Sequence, residues 1–249
     1  MRAHESAPTP VLGASNGVGA GDLRWIPSPW FSCRMVRFRD RVDAGERLAA
    51  ALTPVLQGVS DAIVLGIPRG GVVVGDIVAE KLGLSLDIVA VEKIGAPWNP
   101  ELAVGAVGEG AALWLDESLA SMLAPGKLDE AIERERRELD IKIESVRRVR
   151  SRQPLEGRTL IVVDDGIATG STVRAALLAL RGARPAACIL AVPVGPPETI
   201  VDLASVADSI VCPVQPAVFF AVGQWYETFG QVSTPEVLAI LARYEGERS

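Results

Sequence analysis

Leu160–Thr172, LIVVDDGIATGST, sets an apolar, β-branched run against two adjacent carboxylates and a glycine-bearing turn. The run that begins at Thr159 reads as a buried strand. After the turn, STVRAALLALRGAR carries apolar residues at helical spacing and stops at Gly182, where a C-terminal glycine is expected. Strand, turn and helix in that order make up half of a βαβ unit.

The same grammar recurs upstream. DAIVLGI, Asp61–Ile67, is a second apolar strand, followed by Pro68-Arg69-Gly70-Gly71 and the helical pattern VVVGDIVAEKLG. Further strands are expected at Leu86–Val91, Ala111–Leu115, Ala187–Val192 and Ser209–Cys212, and a first helix at Asp43–Leu56 with Asp43 capping its first turn. Strands alternating with helices imply right-handed crossovers, so the expected fold class is α/β, a mainly parallel sheet flanked by helices with ligands at the carboxyl ends of its strands. GAPWNPELAVGAVGEG, from Gly95 to Gly110, carries enough Gly and Pro to be expected as an irregular functional loop. Within 117–150, the run from Pro125 to Arg150 reads as a charged helical insertion with a sparse apolar stripe, Ile132, Leu139, Ile143 and Val146, and packs one edge on the domain.

A chain of 249 residues suits one domain with additions. Residues 1–34 are dense in Pro, Gly, Ser and Ala without apolar periodicity and are expected to be a disordered extension, with Met35 as an alternative translation start and the domain running over 35–249. Net charge is −6, so a nucleic-acid polymer is not an expected partner. Cys33, Cys188 and Cys212 form no CxxC pair and suit neither a disulfide framework nor a zinc site. His4, the chain's one histidine, lies in the extension, which excludes a core imidazole as base or metal ligand. No apolar run reaches the ~18–20 residues of a membrane span, and a cytoplasmic, soluble protein with no membrane partner is expected.

In VVDDGIATGST the turn aims backbone N–H groups outward at the positive end of a helix, and Thr169, Ser171 and Thr172 add hydroxyls, which suits a phosphate monoester. Asp164 and Asp165 make sense as acceptors from the 2- and 3-hydroxyls of a ribose one sugar's width away. DDG alone is a common turn and TGST alone a common cap; joined behind a buried strand they become specific. The order matches neither GxxxxGK[ST] nor GxGxxG.

Ile161–Thr172 closely resembles the phosphoribosyl-pyrophosphate binding motif of the type I phosphoribosyltransferases, an apolar run followed by two acidic residues and TGxT. The resemblance extends over Phe38–Arg243, though only this motif is individually specific. It implies that Asp164 and Asp165 bind the ribose hydroxyls and that Ala168, Thr169, Gly170, Ser171 and Thr172 cradle the 5-phosphate. It also implies a pyrophosphate loop, often of unusual peptide geometry, at Pro68-Arg69-Gly70-Gly71. There Arg69 pairs with pyrophosphate while Gly70 and Gly71 let the backbone come close. A lid is implied after the next strand, where Lys93 would neutralise the departing pyrophosphate and Glu101 and Glu109 are minor candidates. Arg69 and Lys93 are thus the catalytic candidates.

The implied activity is Mg²⁺-dependent transfer from phosphoribosyl pyrophosphate to a nitrogen acceptor, the metal held through substrate oxygens near Asp164 and Asp165 rather than by dedicated ligands. A homodimer is compatible with this reading. Members that salvage 6-oxopurines commonly carry an acid where this chain has Ala168, so such acceptors are disfavoured. The family's base-binding hood is expected within 213–249, where Phe219, Phe220, Trp225, Tyr226 and Phe229 either stack on a base or pin the C-terminal segment to the core. Two other readings keep the cradle: a non-catalytic sensor of phosphoribosyl pyrophosphate or a nucleotide, and a hydrolase or phosphorylase acting on a ribose phosphate.

Overall fold

The computed structural model describes residues 37–246, with the exception of Trp98, Gly110, Ala111 and the side chains of Pro100 and Glu101. Residues 1–34 and the alternative start Met35 lie outside that range. The chain enters through α1 (Arg41–Leu52), β1 (Ala62–Gly66), α2 (Gly70–Leu82) and β2 (Ser85–Ile88). β3 (Val91–Ala96), β4 (Asn99–Gly108) and β5 (Leu113–Leu115) follow, then α3 (Glu117–Ala120) and α4 (Lys127–Arg147). β6 (Thr159–Val163), α5 (Ser171–Arg181), β7 (Ala187–Ala191), α6 (Pro197–Leu203) and β8 (Ser209–Val211) complete the α/β pattern, and α7 (Thr234–Ala242) ends it.

The main sheet has the order β2-β1-β6-β7-β8, with every neighbouring pair parallel. Its strands are apolar on both faces because helices cover both. Alternation divides them cleanly. Val64, Leu86, Ile161, Val163 and Ile189 face a core shared with α1, α2, α4 and α7, whereas Ile63, Leu65, Leu160, Val162 and Leu190 face one shared with α5 and α6. Each fully buried Val, Leu or Ile contributes about 1.5–3 kcal/mol, so the two faces hold the strand ends firmly in place.

Three expectations need correction. The stretch from Gly95 to Gly110 is not irregular: its described residues largely form β3 and β4, which pair antiparallel, and β5 completes a second sheet of order β3-β4-β5. The glycine at 105 is there for close approach rather than to break the strand, since a Cβ on Gly105 would lie 2.5 Å from the Trp114 carbonyl oxygen. The single strand expected over Leu86–Val91 is two, because the chain leaves the main sheet after Ile88 and joins the small one at Val91. The cap of α1 is Asp40, whose carboxylate accepts from the Asp43 amide at 2.9 Å; Asp43 itself is buried and pairs with Arg47 at 2.9 Å.

The charged helix α4 buries Leu139, Ile143 and Val146 of the expected stripe and leaves its other faces to solvent. Arg147 bonds Asp87 at 2.8 Å and Glu109 at 2.7 Å, which ties the helix to both sheets. Of 213–249, α7 belongs to the main core through Val237, Ile240, Leu241 and Tyr244, and the buried Asp76 of α2 accepts from the Tyr244 hydroxyl at 2.8 Å and pairs with Arg243. No helix of the described residues is long and apolar enough to cross a membrane. Cys188 and Cys212 are buried, and burial pushes the Cys188 thiol up to about 11.

Candidate active site

β1 and β6 are adjacent and parallel, so the turns that follow them leave the sheet side by side at its carboxyl edge. The Ile67 amide donates to the Val163 carbonyl at 2.8 Å, which locks the two strand ends together where the turns begin. Pro68-Arg69-Gly70-Gly71 then runs directly against Asp164-Asp165. A Cβ on Gly70 would stand 1.9 Å from Asp165 Oδ2, and one on Gly71 would stand 2.5 Å from the Val163 carbonyl and 2.8 Å from the Asp164 Cα. Only two glycines admit this contact. The Pro68–Arg69 peptide is cis, and the Arg69 side chain is exposed at the entrance to α2.

Gly166–Gly170 passes from β6 into α5. Ala168 and Thr169 are exposed, Thr172 is exposed and Ser171 half-buried, so the turn presents its hydroxyls and amides to solvent. Thr169 Oγ1 and Ser171 Oγ lie 3.4 Å apart, and Thr199 of α6 donates to the Ala168 carbonyl at 2.7 Å, bracing the turn from behind. That brace was not expected from sequence. A threonine two residues into a short helix carries no signal of its own.

Both carboxylates are largely shielded from solvent. Burial, and after it the charge of Asp165, holds the Asp164 carboxyl well above the ordinary carboxylate range. Its Oδ1 accepts from the Asp165 amide at 2.9 Å. Burial also raises Asp165, while Arg41 of α1 opposes the rise through an ion pair at 2.8 Å. Sequence reasoning missed Arg41. The signal was a cation in the first turn of a helix, where the macrodipole disfavours it.

Tyr226 is buried against Phe38, with ring centroids 5.3 Å apart, and its hydroxyl donates to the Asp165 carbonyl; burial drives that phenol well above its ordinary range. Phe229 lies beneath the Arg41 guanidinium, whose carbon is 4.1 Å from the ring centroid. These two aromatics therefore pin the C-terminal segment to the site. Phe219 stacks on Trp225 at 6.3 Å, and Phe220 is 84% exposed.

Lys93 lies on β3, opposite Ala106 of β4. Paired residues of an antiparallel ladder share a face, and Ala106 packs on Ala175 and Ala179 of α5, so Lys93 stands on the hairpin face turned toward α5, the helix that follows the Gly166–Gly170 turn. Its neighbour Glu92 points the other way and bonds Lys142 of α4 at 2.8 Å. Glu109 is committed to Arg147, and the Glu101 side chain lies outside the described residues. The structure thus joins Asp164, Asp165, Gly70 and Gly71 in contact and adds Arg41, with Ala168, Thr169, Gly170, Ser171 and Thr172 on the adjoining turn.

At the carboxyl edge of a parallel α/β sheet, an adjacent acid pair, a glycine turn and a hydroxyl-bearing turn that opens a helix meet in one place. The phosphoribosyl transferase domain matches residues 39–226, and the chain belongs to that family. Two Mycobacterium tuberculosis proteins that carry the provisional name phosphoribosyl transferase, one from each of two strains, are each 44% identical to it over 211 residues, 84% of this chain and 47% of theirs. The chain thus spans about half the length of these relatives. The crystal structure of TT1426 from Thermus thermophilus superposes with a TM-score of 0.80 at 44% identity, over 84% of this chain and all of that one. The expected type I fold class holds.

Proposed function

We propose that the protein transfers the 5-phosphoribosyl group of phosphoribosyl pyrophosphate to a nitrogen acceptor. The acceptor nitrogen forms a bond to C1 as the C1–oxygen bond breaks, and pyrophosphate leaves with that electron pair through an oxocarbenium-like transition state. The observation that carries this reading is the direct contact of Gly70-Gly71 with Asp164-Asp165, because a transferase must hold pyrophosphate, ribose and 5-phosphate of one donor at once. A hydrolase or phosphorylase needs the ribose half alone.

In this arrangement Asp164 and Asp165 accept from the ribose hydroxyls, and residues 168–172 take the 5-phosphate. The backbone of Gly70 and Gly71 approaches the pyrophosphate, Arg69 pairs with it, and Lys93 meets the charge that develops as it departs. Mg²⁺ suits this donor set: it keeps several waters and takes one or two carboxylates plus substrate phosphates, and Asp164 and Asp165 are the carboxylates beside the glycine turn. Bound there, it would neutralise pyrophosphate charge. Ala168 has no side-chain acid, and its one proton acceptor, the backbone carbonyl, is engaged by Thr199, so nothing at that position handles a purine N7 proton and 6-oxopurines are disfavoured.

Calorimetric titration with the donor tests the assignment. Asp165→Asn and Thr169→Ala are expected to weaken binding about tenfold or more each; unchanged affinity in both would remove the ribose and phosphate roles.

A further inference from the structure

Arg41 is the first residue of α1, where the helix dipole opposes a cation, yet its side chain is only 12% exposed and is held from several directions. Nε donates to Asp165 Oδ2 at 2.8 Å, and Nη1 donates to the Gly230 carbonyl at 2.8 Å. The guanidinium carbon lies 4.1 Å from the centroid of Phe229, and Nε lies 3.2 Å from where a Cβ on Gly70 would stand. The segment that carries Gly230 and Phe229 is itself zipped to the residues that lead into α1. The Phe38 amide donates to the Trp225 carbonyl at 2.8 Å, the Glu227 amide to the Phe38 carbonyl at 2.8 Å and the Thr228 amide to the Arg39 carbonyl at 2.9 Å.

A local helix preference is broken at Arg41, and each of its contacts falls on a helix end, a strand-end turn or this zipped segment. The guanidinium is therefore a fixed strut, and it ends on the carboxylate assigned to the ribose.

We infer that Arg41 is a positioning residue: it holds Asp165 in the orientation that reads the ribose hydroxyls, and Phe229 and the Gly230 carbonyl hold Arg41 in turn. The inference rests on the proposed ribose role of Asp165. With Oδ2 committed to Arg41, the plane of the carboxylate is fixed and Oδ1 is the oxygen a ribose hydroxyl reaches. Arg41 acts through Asp165, the carboxylate that its Nε holds. A planar guanidinium that donates in two directions while stacked on a ring can do this, and a lysine ammonium cannot reproduce all three contacts.

The test compares binding of ribose 5-phosphate with arabinose 5-phosphate and xylose 5-phosphate, which invert the 2- and the 3-hydroxyl respectively, by calorimetry on the full chain. The wild-type protein is expected to prefer ribose 5-phosphate by about tenfold or more, the range of a hydrogen bond to a charged group. Asp165→Asn removes most of that preference. Arg41→Gln is expected to remove it to a similar extent, Arg41→Lys to restore part of it, and Phe229→Leu, which leaves α1 and both carboxylates in place, to give an intermediate loss should Arg41→Gln fail to fold. A merely structural role would lower affinity for all three sugars equally, and that result overturns the inference, as does an Arg41→Gln protein that keeps the wild-type preference while Asp165→Asn loses it. A preference that survives Asp165→Asn overturns the ribose assignment itself, and the inference with it.

Discussion

Replacing Gly70 by alanine puts a methyl group where Asp165 Oδ2 now stands, 1.9 Å from the new Cβ, with the Asp165 Cγ at 2.6 Å. Ordinary carbon contacts begin near ~3.5 Å, so the carboxylate must retreat by more than about 1 Å. The retreat breaks its 2.8 Å bond to Arg41, whose side chain is 12% exposed against 14% for Asp165. Both groups are largely shielded, so the lost bond is worth about 1.5–3 kcal/mol rather than the fraction of a kcal/mol typical of an exposed pair. At tenfold per ~1.4 kcal/mol, the donor should bind about tenfold to a hundredfold more weakly. Loss of the pair also lowers the melting temperature, by roughly 2–4 °C per kcal/mol for a domain of this size. Calorimetry with phosphoribosyl pyrophosphate and a thermal melt measure the two effects, and Gly230→Ala serves as the control because a Cβ there meets nothing within 4 Å. Because the penalty acts through Asp165, Gly70→Ala combined with Asp165→Asn should lose little more than Asp165→Asn alone. A folded Gly70→Ala protein with wild-type donor affinity would mean that donor binding does not depend on where Arg41 and Gly70 hold Asp165.

Three further outcomes follow from the same geometry. Lys93→Ala is expected to slow turnover more than it weakens donor binding, read as a fall in kcat with a smaller change in KM; a change in KM alone would remove its role toward the leaving group. Burial raises the folded-state pKa of Asp164 above its unfolded value, so the folded state holds the extra proton and stability falls as pH rises through that window. Asp164→Asn should therefore raise the melting temperature at pH 7 while weakening the donor, with the stability gain shrinking as pH falls toward the ordinary carboxylate range; no gain at pH 7 would contradict the burial argument. Asp76→Asn takes the charge from the group that holds Tyr244 at 2.8 Å and Arg243, and should cost about 1–3 kcal/mol in urea unfolding without changing donor affinity.

What could be read in advance follows from how local each signal is. β6, its acid pair and the turn into α5 are contiguous, and each local preference there agrees with the others, so 159–182 was legible residue by residue. The βαβ pattern carried the parallel sheet for the same reason. The small sheet was hidden because glycine has two meanings: in Gly105 it marks a strand pressed against the Trp114 carbonyl, and composition alone reads it as a break. Arg41 and Thr199 were hidden because their partners, Asp165 and Ala168, lie 124 and 31 residues away in the chain. Only the folded sheet edge brings those positions together. The aromatic cluster stands out in the sequence, but its two uses are inseparable there; the structure gives Tyr226 and Phe229 a pinning role and leaves Phe220 exposed.

In the proposed transfer, the glycine turn and the turn after β6 hold one donor together. The most direct test is the release of pyrophosphate from labelled phosphoribosyl pyrophosphate with Mg²⁺, across a panel of nitrogen bases and amines. Acceptor-dependent release that Arg69→Ala and Asp165→Asn both abolish is the predicted result. Tight donor binding with no turnover on any acceptor would contradict it and identify a sensor, and activity on a ribose phosphate that is indifferent to Arg69→Ala would identify a hydrolase or phosphorylase.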